Sequence, residues 1–354
     1  MTLETQAWRG HAAFDALASE WDALATEAGL DPLCNAHAWN AAYAHAWLDD
    51  DYVFGWRFVE GGRAAGLVAL RREPSRGALR LRRALWLSDG SFDSDYLSAP
   101  VRPGLERACA AALIDAARAA PGLDALVLAG VPDDAPLLAA LRAELEARGT
   151  PRREHDVAAL ASPLPDDFEA FLTGLRPRMR SKVRSARRAA GERGAELVWC
   201  ERADELDAWL AELYRLHELR WNAAGRPGSF AEPRRRAFYA ALAHGALARG
   251  ELCFARLEEG GRVLATQFGL RLGERYYQVQ EGFDPDLGGE RVGVALRALA
   301  IEALIARGVR AYDFMAGDAR HKQDWGGEPR PCTTLAFPLG ARAELAYRAR
   351  NLLD

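Results

Sequence analysis

The sequence predicts an α/β (α+β) protein of two similar halves, each a mostly antiparallel mixed sheet flanked by helices. Three observations carry this. The chain has 354 residues, 49% of them hydrophobic and 27% charged, which is ordinary globular composition and a length for two domains at about 150 residues each. Apolar residues recur at helical spacing in some segments and alternate or run together in others. The order of these segments restarts near ASPLPDD, dividing the chain into domains at 1–162 and 163–354.

In the first half, residues 12–28 and the AHAWNAAYAHAW stretch after Asn35 read as two opening helices. Short β-like runs follow: DYVFGWRFVE, RAAGLVALRRE across the Gly61-Gly62 turn, LRLRRALWL and DYLSAP. Two helices, starting near Gly104 and Asp134, then alternate with the strands LDALVLAG and REHDVAALA. In the second half, helices near 166–173 and 177–192 lead to the strand AELVWCE and to helices at 203–220 and 233–249. The runs ELCFARLE, RVLATQFGLRL and RYYQVQEGF, separated by glycine turns, form an antiparallel meander. The helix VALRALAIEALIAR, the strand VRAYDF, a polar loop, the strand CTTLAFP and a last helix complete it.

A net charge of −4 excludes whole-surface attraction to nucleic acid or anionic membrane and leaves only local patches. The start of the chain lacks a basic or long apolar leader, and no window approaches the ~20 apolar residues of a membrane helix. A cytoplasmic protein with no membrane span is the expectation. Five scattered cysteines without metal-ligand spacing read as reduced residues, and no metal is expected; Asp93 and Asp95 in SFDSDY read as a turn. Among 46 basic residues only two are lysines, Lys182 and Lys322.

The segment 274–318 carries the most chemistry. A strand ends in DPDLGGERVG, which runs into an amphipathic helix. A glycine-rich turn at a helix N-terminus offers free N–H groups and a positive dipole end to an anion. Glu290, Arg291, Val292, Gly293, Val294 and Ala295 would supply the amides, with Gly289 in the turn before them and Arg291 as a fixed charge at the mouth. Beyond the next strand, MAGDARHKQDWGGEPR gathers Asp318, His321, Lys322, Asp324 and Trp325 near Asp313, at the strand ends where open α/β folds bind ligands. Residues 176–193, RPRMRSKVRSARRAAGER, form a basic helix held down by a stripe of Met179, Val183, Ala186 and Ala190. His217 in YRLHELRW sits beside Trp221 on another helix.

The runs LRPRMRSKVRSARR, HELRWNAAGRPGSF and LEEGGRVLATQFGLRLGERYYQVQEGFDP, with the segment that follows to HKQDWG, resemble the CelD-type (BioF2-like) acetyltransferase domain. That family lies in the GNAT superfamily, close to the Fem-type aminoacyl-tRNA-dependent transferases. The resemblance covers about residues 165–340, and its DF-x-x-G-x-x-x-x-K-x-x-W-G pattern falls on Asp313, Phe314, Gly317, Lys322, Trp325 and Gly326. It implies tandem GNAT-like domains, the first degenerate and the second catalytic. The glycine turn would then bind the pyrophosphate of acyl-CoA (acetyl-CoA), with Lys322 as a further phosphate or carboxylate contact. Glu281, Asp313 and His321 are the candidate bases, a backbone N–H within Gln278–Phe283 is the expected oxyanion donor, and His217, Trp221, Tyr277, Asp318 and Trp325 are candidate acceptor contacts. The implied activity is N-acyl transfer, other than aminoacyl, to a small-molecule or saccharide amine, in polysaccharide or cell-envelope metabolism. Two other readings stand beside it: tRNA-dependent peptidyl transfer, with Arg184, Arg187 and Arg188 on RNA phosphates, and a non-catalytic scaffold for polysaccharide assembly.

Overall fold

The computed structural model describes residues 3–76, 80–89, 93–223, 225–287 and 290–351. The chain divides into two compact units, residues 1–157 with 331–354, and residues 158–330.

In chain order, unit 1 holds β1 (Glu4–Arg9), α1 (His11–Asp15), α2 (Ala18–Glu27), α3 (His37–Trp47), β2 (Val53–Glu60), β3 (Arg63–Arg76), β4 (Leu81–Trp86), α4 (Glu106–Ala119), β5 (Ala125–Pro132), α5 (Pro136–Ala147) and β6 (Arg153–Val157). Unit 2 continues with β7 (Ala159–Pro163), α6 (Phe168–Gly174), α7 (Pro177–Glu192), β8 (Glu196–Trp199), α8 (Leu206–Ala223), α9 (Pro233–Ala248), β9 (Leu252–Glu259), β10 (Arg262–Leu272), β11 (Arg275–Phe283), α10 (Glu290–Ala306), β12 (Ala311–Ala316), α11 (Arg320–Asp324) and β13 (Glu328–Pro329). The last elements, β14 (Cys332–Pro338) and α12 (Ala341–Asn351), return to unit 1.

Among the described residues each unit has one seven-stranded sheet, ordered β1-β2-β3-β4-β5-β14-β6 in unit 1 and β13-β7-β12-β11-β10-β9-β8 in unit 2. In each, a single neighbouring pair is parallel, β4 with β5 and β11 with β12. The expected plan of two mostly antiparallel mixed sheets is therefore present.

Pairing departs from the sequence expectation in four places. The chain opens with a strand, ETQAWR, which lies along β2 from Glu4↔Val59 to Arg9↔Phe54 and is mostly exposed, so it lacks an apolar pattern. DYLSAP is not a strand of the sheet: Tyr96 there adopts φ 57°, a left-handed conformation that extended pairing does not use. The run 153–161 is two strands, parted at Ala158, that pair in different sheets. Residues 163–354 also do not form one unit, because β14 hydrogen-bonds between β5 and β6.

Unit 2 positions the site. Along β9, Cys253, Ala255 and Leu257 pack into a core with Phe171 and Leu172 of α6, Val183 and Ala186 of α7, and Ile301 and Leu304 of α10. Phe254, one residue out of phase, meets Trp209 of α8 and Phe268 at ring distances of 5.3 and 5.2 Å, so helices cover both faces. The stripe Met179, Val183, Ala186 and Ala190 is buried as its spacing predicts. Asp167 caps α6 by accepting the Ala170 N–H at 2.7 Å, and Pro177 opens α7, where its missing N–H costs no helical bond. At Gly282 a Cβ would lie 2.8 Å from the His217 nitrogen and 2.9 Å from the Leu216 Cβ. Only glycine lets α8 approach β11 this closely.

Candidate functional site

The site begins where the sheet of unit 2 parts. β11 and β12 pair through Arg275↔Ala311, Tyr276↔Tyr312 and Tyr277↔Asp313, and their pairing ends there. Beyond it β11 stays with β10 as far as Phe283↔Ala265. The register shifts between Gln280↔Phe268 and Gln278↔Gly269, which leaves Val279 as an extra residue without a partner on β10. A bulge of this kind bends the strand, and it falls two residues past the last β11–β12 pair.

Glu281 stands beside the opening and is held by three donors. Arg220 of α8 donates Nη1 to Oε1 at 3.0 Å, Gln278 donates Nε2 to Oε2 at 3.1 Å, and Arg297 of α10 donates Nη2 to the same Oε2. Tyr312 donates its hydroxyl to Gln278 Oε1 at 2.9 Å, so one hydrogen-bond chain bridges β12 and β11 where their backbones part. Burial pushes the Glu281 carboxyl up, but Arg297, Arg220 and His321 outweigh it and hold its pKa at about 2. Arg297 is only 6% exposed. Burial alone would lower its pKa, and Glu281 instead raises it. Its guanidinium also lies 5.5 Å from the Trp325 ring centre and 5.8 Å from that of Phe314.

These groups border a pocket of about 200 Å³. Met179, Phe283, Val294 and Trp325 give it an apolar side, and Gly293 lies among them. Lys182, Arg220, Glu281, Arg297, His321 and Asp324 give it a charged side. The first turn of α10 adjoins it, and the amides there have no intrahelical acceptor. A Cβ at Gly293 would come within 3.2 Å of Phe283 Cδ1. Burial, then Arg297, lower the pKa of His321 from the ordinary imidazole value, leaving it neutral at pH 7.

The pocket brings together five expected residues, Glu281, His321, Gly293, Val294 and Trp325. Gly289 lies outside the described residues. Arg291 is exposed, and Val292 and Tyr277 are buried in the core. Asp318 is exposed, with Gln323 donating to its backbone oxygen.

Asp313 and Lys322 serve the strand end. Fully buried Asp313 accepts from Arg275 at 3.2 Å, from Arg330 at 2.6 Å and from the Met315 N–H at 2.9 Å. A carboxylate between two guanidiniums, outside the pocket lining, is an ion-pair anchor rather than a base. The Lys322 ammonium donates to the carbonyls of Ala316 and Met315, and these carbonyls take the place of the expected phosphate contact. His217 accepts from Trp221 Nε1 at 2.9 Å and is 3% exposed. Burial, then Arg220 and Arg235, push its pKa down to about 4. It braces α8 and does not line the pocket.

Sequence reasoning missed Arg220 and Arg297. The available signal was spacing: Arg297 lies four residues after Gly293, on the same face of α10, and Arg220 lies three after His217. Of the proposed RNA contacts, Arg187 turns inward, ion-paired with Glu302 and 4.5 Å over the Phe168 ring. Arg184 pairs with exposed Glu169 at 3.2 Å. Arg188, with Arg180, Arg184, Ser181 and Ser185, lines a surface groove of about 270 Å³.

A mixed sheet whose one parallel pair parts beside a helix N-terminus defines the GCN5-related N-acetyltransferase (GNAT) class of fold, here in tandem. Residues 177–323 match the acetyltransferase (GNAT) domain family, which supports an acyltransferase. Solved structures share the plan at low identity. One described as FemX is 13% identical, with 94% of this chain and 98% of that chain covered and a TM-score of 0.64. The C-terminal DUF2156 domain of a putative lysylphosphatidylglycerol synthetase from Agrobacterium fabrum is also 13% identical, with 97% of each chain covered and a TM-score of 0.56. A tandem GNAT protein from the clavulanic acid biosynthesis pathway is 19% identical, with 96% and 99% covered and a TM-score of 0.50. At these identities the likeness is one of fold. None of the curated proteins matches. Among the described residues no group of three or more His, Cys, Asp or Glu is placed to hold a metal, and no helix is long and apolar enough to cross a membrane.

Proposed function

We propose that unit 2 is an N-acyltransferase that moves an acyl group, acetyl in the simplest case, from coenzyme A to an amine on a small molecule or saccharide. The observation that carries this reading is the end of β11–β12 pairing at Tyr277↔Asp313, with a pocket of about 200 Å³ beside the first turn of α10. That volume suits the thioester end of a long donor, and the gap at Gly293 admits it because no Cβ stands before Phe283.

When bound, the thioester supplies an activated acyl carbon. The protein's residues do the rest. Val279, without a register partner on β10, offers an N–H toward the acyl oxygen, where a fixed donor is worth about 3 kcal/mol. Met179, Phe283, Val294 and Trp325 exclude water. Arg297 and Arg220 hold Glu281 ionised between α8 and α10. The α10 amides and dipole favour the donor's phosphates. The CelD-type resemblance extends the reading to polysaccharide or cell-envelope chemistry in the cytoplasm.

Titration calorimetry with acetyl-CoA tests this. Micromolar binding is expected in the wild type and none in Gly293→Trp, whose indole would fill the gap. Equal binding by both would contradict it. The arginine–serine groove of α7 favours a second reading, in which the donor is an aminoacyl-tRNA. Binding of tRNA that weakens steeply with salt, and is lost in Arg180→Ala/Arg184→Ala/Arg188→Ala, would support that donor.

A further inference from the structure

The acyl-transfer reading leaves open which group takes the proton from the attacking amine, and on that reading we infer that His321, not Glu281, is the base. The carboxylate is the obvious choice by position. Yet Oε1 of Glu281 is taken by Arg220, and Oε2 by both Arg297 and Gln278. A base must offer a lone pair to the nucleophile within about 3 Å; Oε2 has both of its lone pairs on donors, and the one that Oε1 keeps is only weakly basic beside two guanidiniums. Glu281 is a positioning residue that keeps the buried Arg297 and the half-buried Arg220 guanidiniums in place.

His321 is the other titratable group expected to act on protons that lines the same pocket. It sits on α11 just beyond the end of β12 and is exposed enough to meet a ligand. The charged groups around it come from every neighbouring element: Glu281 of β11, Arg297 of α10, Arg220 of α8, and Lys322 on its own helix. Lys182 of α7 and Asp324 complete the charged side of the pocket. Three of the four charged groups that act on it are cations, and they disfavour a positive charge on the ring. The imidazole is therefore a neutral acceptor at pH 7.

The step balances without a further reagent. The amine nitrogen bonds to the acyl carbon as the carbon–sulfur bond breaks, and the electron pair of that bond leaves on sulfur. The proton shed by nitrogen passes to the ring nitrogen of His321. The imidazolium, disfavoured by Arg297 and Arg220, returns it to the thiolate.

The test uses the full chain with acetyl-CoA as probe. Imidazole NMR of the wild type should show His321 titrating below 6.5 and shifting when acetyl-CoA is added. His321→Gln, a change on an exposed five-residue helix, should melt as the wild type does and bind acetyl-CoA within about twofold. Its kcat for acetylation of glucosamine, lysine or another primary amine should fall about 100-fold, and the acid limb of kcat/KM should disappear. A His321 midpoint at or above 6.5, a ring unmoved by bound acetyl-CoA, or a variant that keeps its acid limb would overturn the assignment alone. Failure of the wild type to bind acetyl-CoA would overturn the thioester reading and this assignment together.

Discussion

Unit 1 and unit 2 build the same sheet and treat its parting differently. In unit 2 six residues, 284–289, carry the chain from β11 to α10, and a pocket remains at the opening. In unit 1 the link from β4 to α4 runs from 87 to 105, and its residues 95–101 are buried. Asp93, Asp95, Tyr96, Leu97 and Ser98 are all buried. The Tyr96 nitrogen lies 3.9 Å from where a Cβ of Gly130 would stand at the end of β5. Asn35 ties the link down, donating to the Asp31 and Tyr96 carbonyls at 2.9 and 2.8 Å and accepting the Ser98 N–H at 2.8 Å. One topology thus leaves an open pocket in unit 2 and a filled core in unit 1, beside connections of different length.

The largest test of this contrast is electrostatic. Arg297→Met leaves a carboxylate short of its buried partner and should cost about 3–5 kcal/mol in denaturant unfolding. Asp124→Ala, which breaks the Arg82–Asp124 pair of unit 1 with its 56% exposed arginine, should cost far less, because solvent screens that pair. Next in size is a pH effect. His217 is neutral when folded with a pKa near 4, against 6.5 when unfolded, so the unfolded chain binds more protons between these values. Its contribution is whole above 6.5 and declines by about 3 kcal/mol as the pH falls through 4. Denaturant midpoints measured across this range should fall less steeply in His217→Gln.

Asn35→Ala should cost roughly 2 kcal/mol and raise hydrogen exchange across 93–98 while leaving acetyl-CoA affinity unchanged. If the variant instead exchanges slowly there, the link is not held as described. The smallest effect concerns Lys322. Because its ammonium sits on two carbonyls, Lys322→Arg should lose about 1 kcal/mol of stability and keep calorimetric affinity for acetyl-CoA within about twofold. A tenfold loss of affinity would restore a phosphate contact.

Elements with strong periodicity were legible in the sequence, as in the buried stripe of α7 and the β9–β11 meander. ETQAWR was not, since an exposed edge strand has little apolar pattern. The split at Ala158 was invisible because no Gly or Pro marks it. The return of CTTLAFP to the first sheet is a long-range pairing that alternation cannot encode. Glu281, Gly293, His321 and Trp325 stood out by strand ends, turn chemistry and family resemblance. Arg220 and Arg297 did not, because in a chain with 46 basic residues and only two lysines one more arginine carries no contrast. The rarity of lysine drew notice to both: Lys182 lines the pocket, while Lys322 serves the backbone.

A crystal structure with acetyl-CoA tests the central claim most directly. The thioester should lie between the diverging ends of β11 and β12, its acyl oxygen within about 3 Å of the Val279 nitrogen and its pantetheine arm passing Gly293. Acetyl-CoA bound along the α7 groove, or in unit 1, with the opening of unit 2 empty, would contradict it.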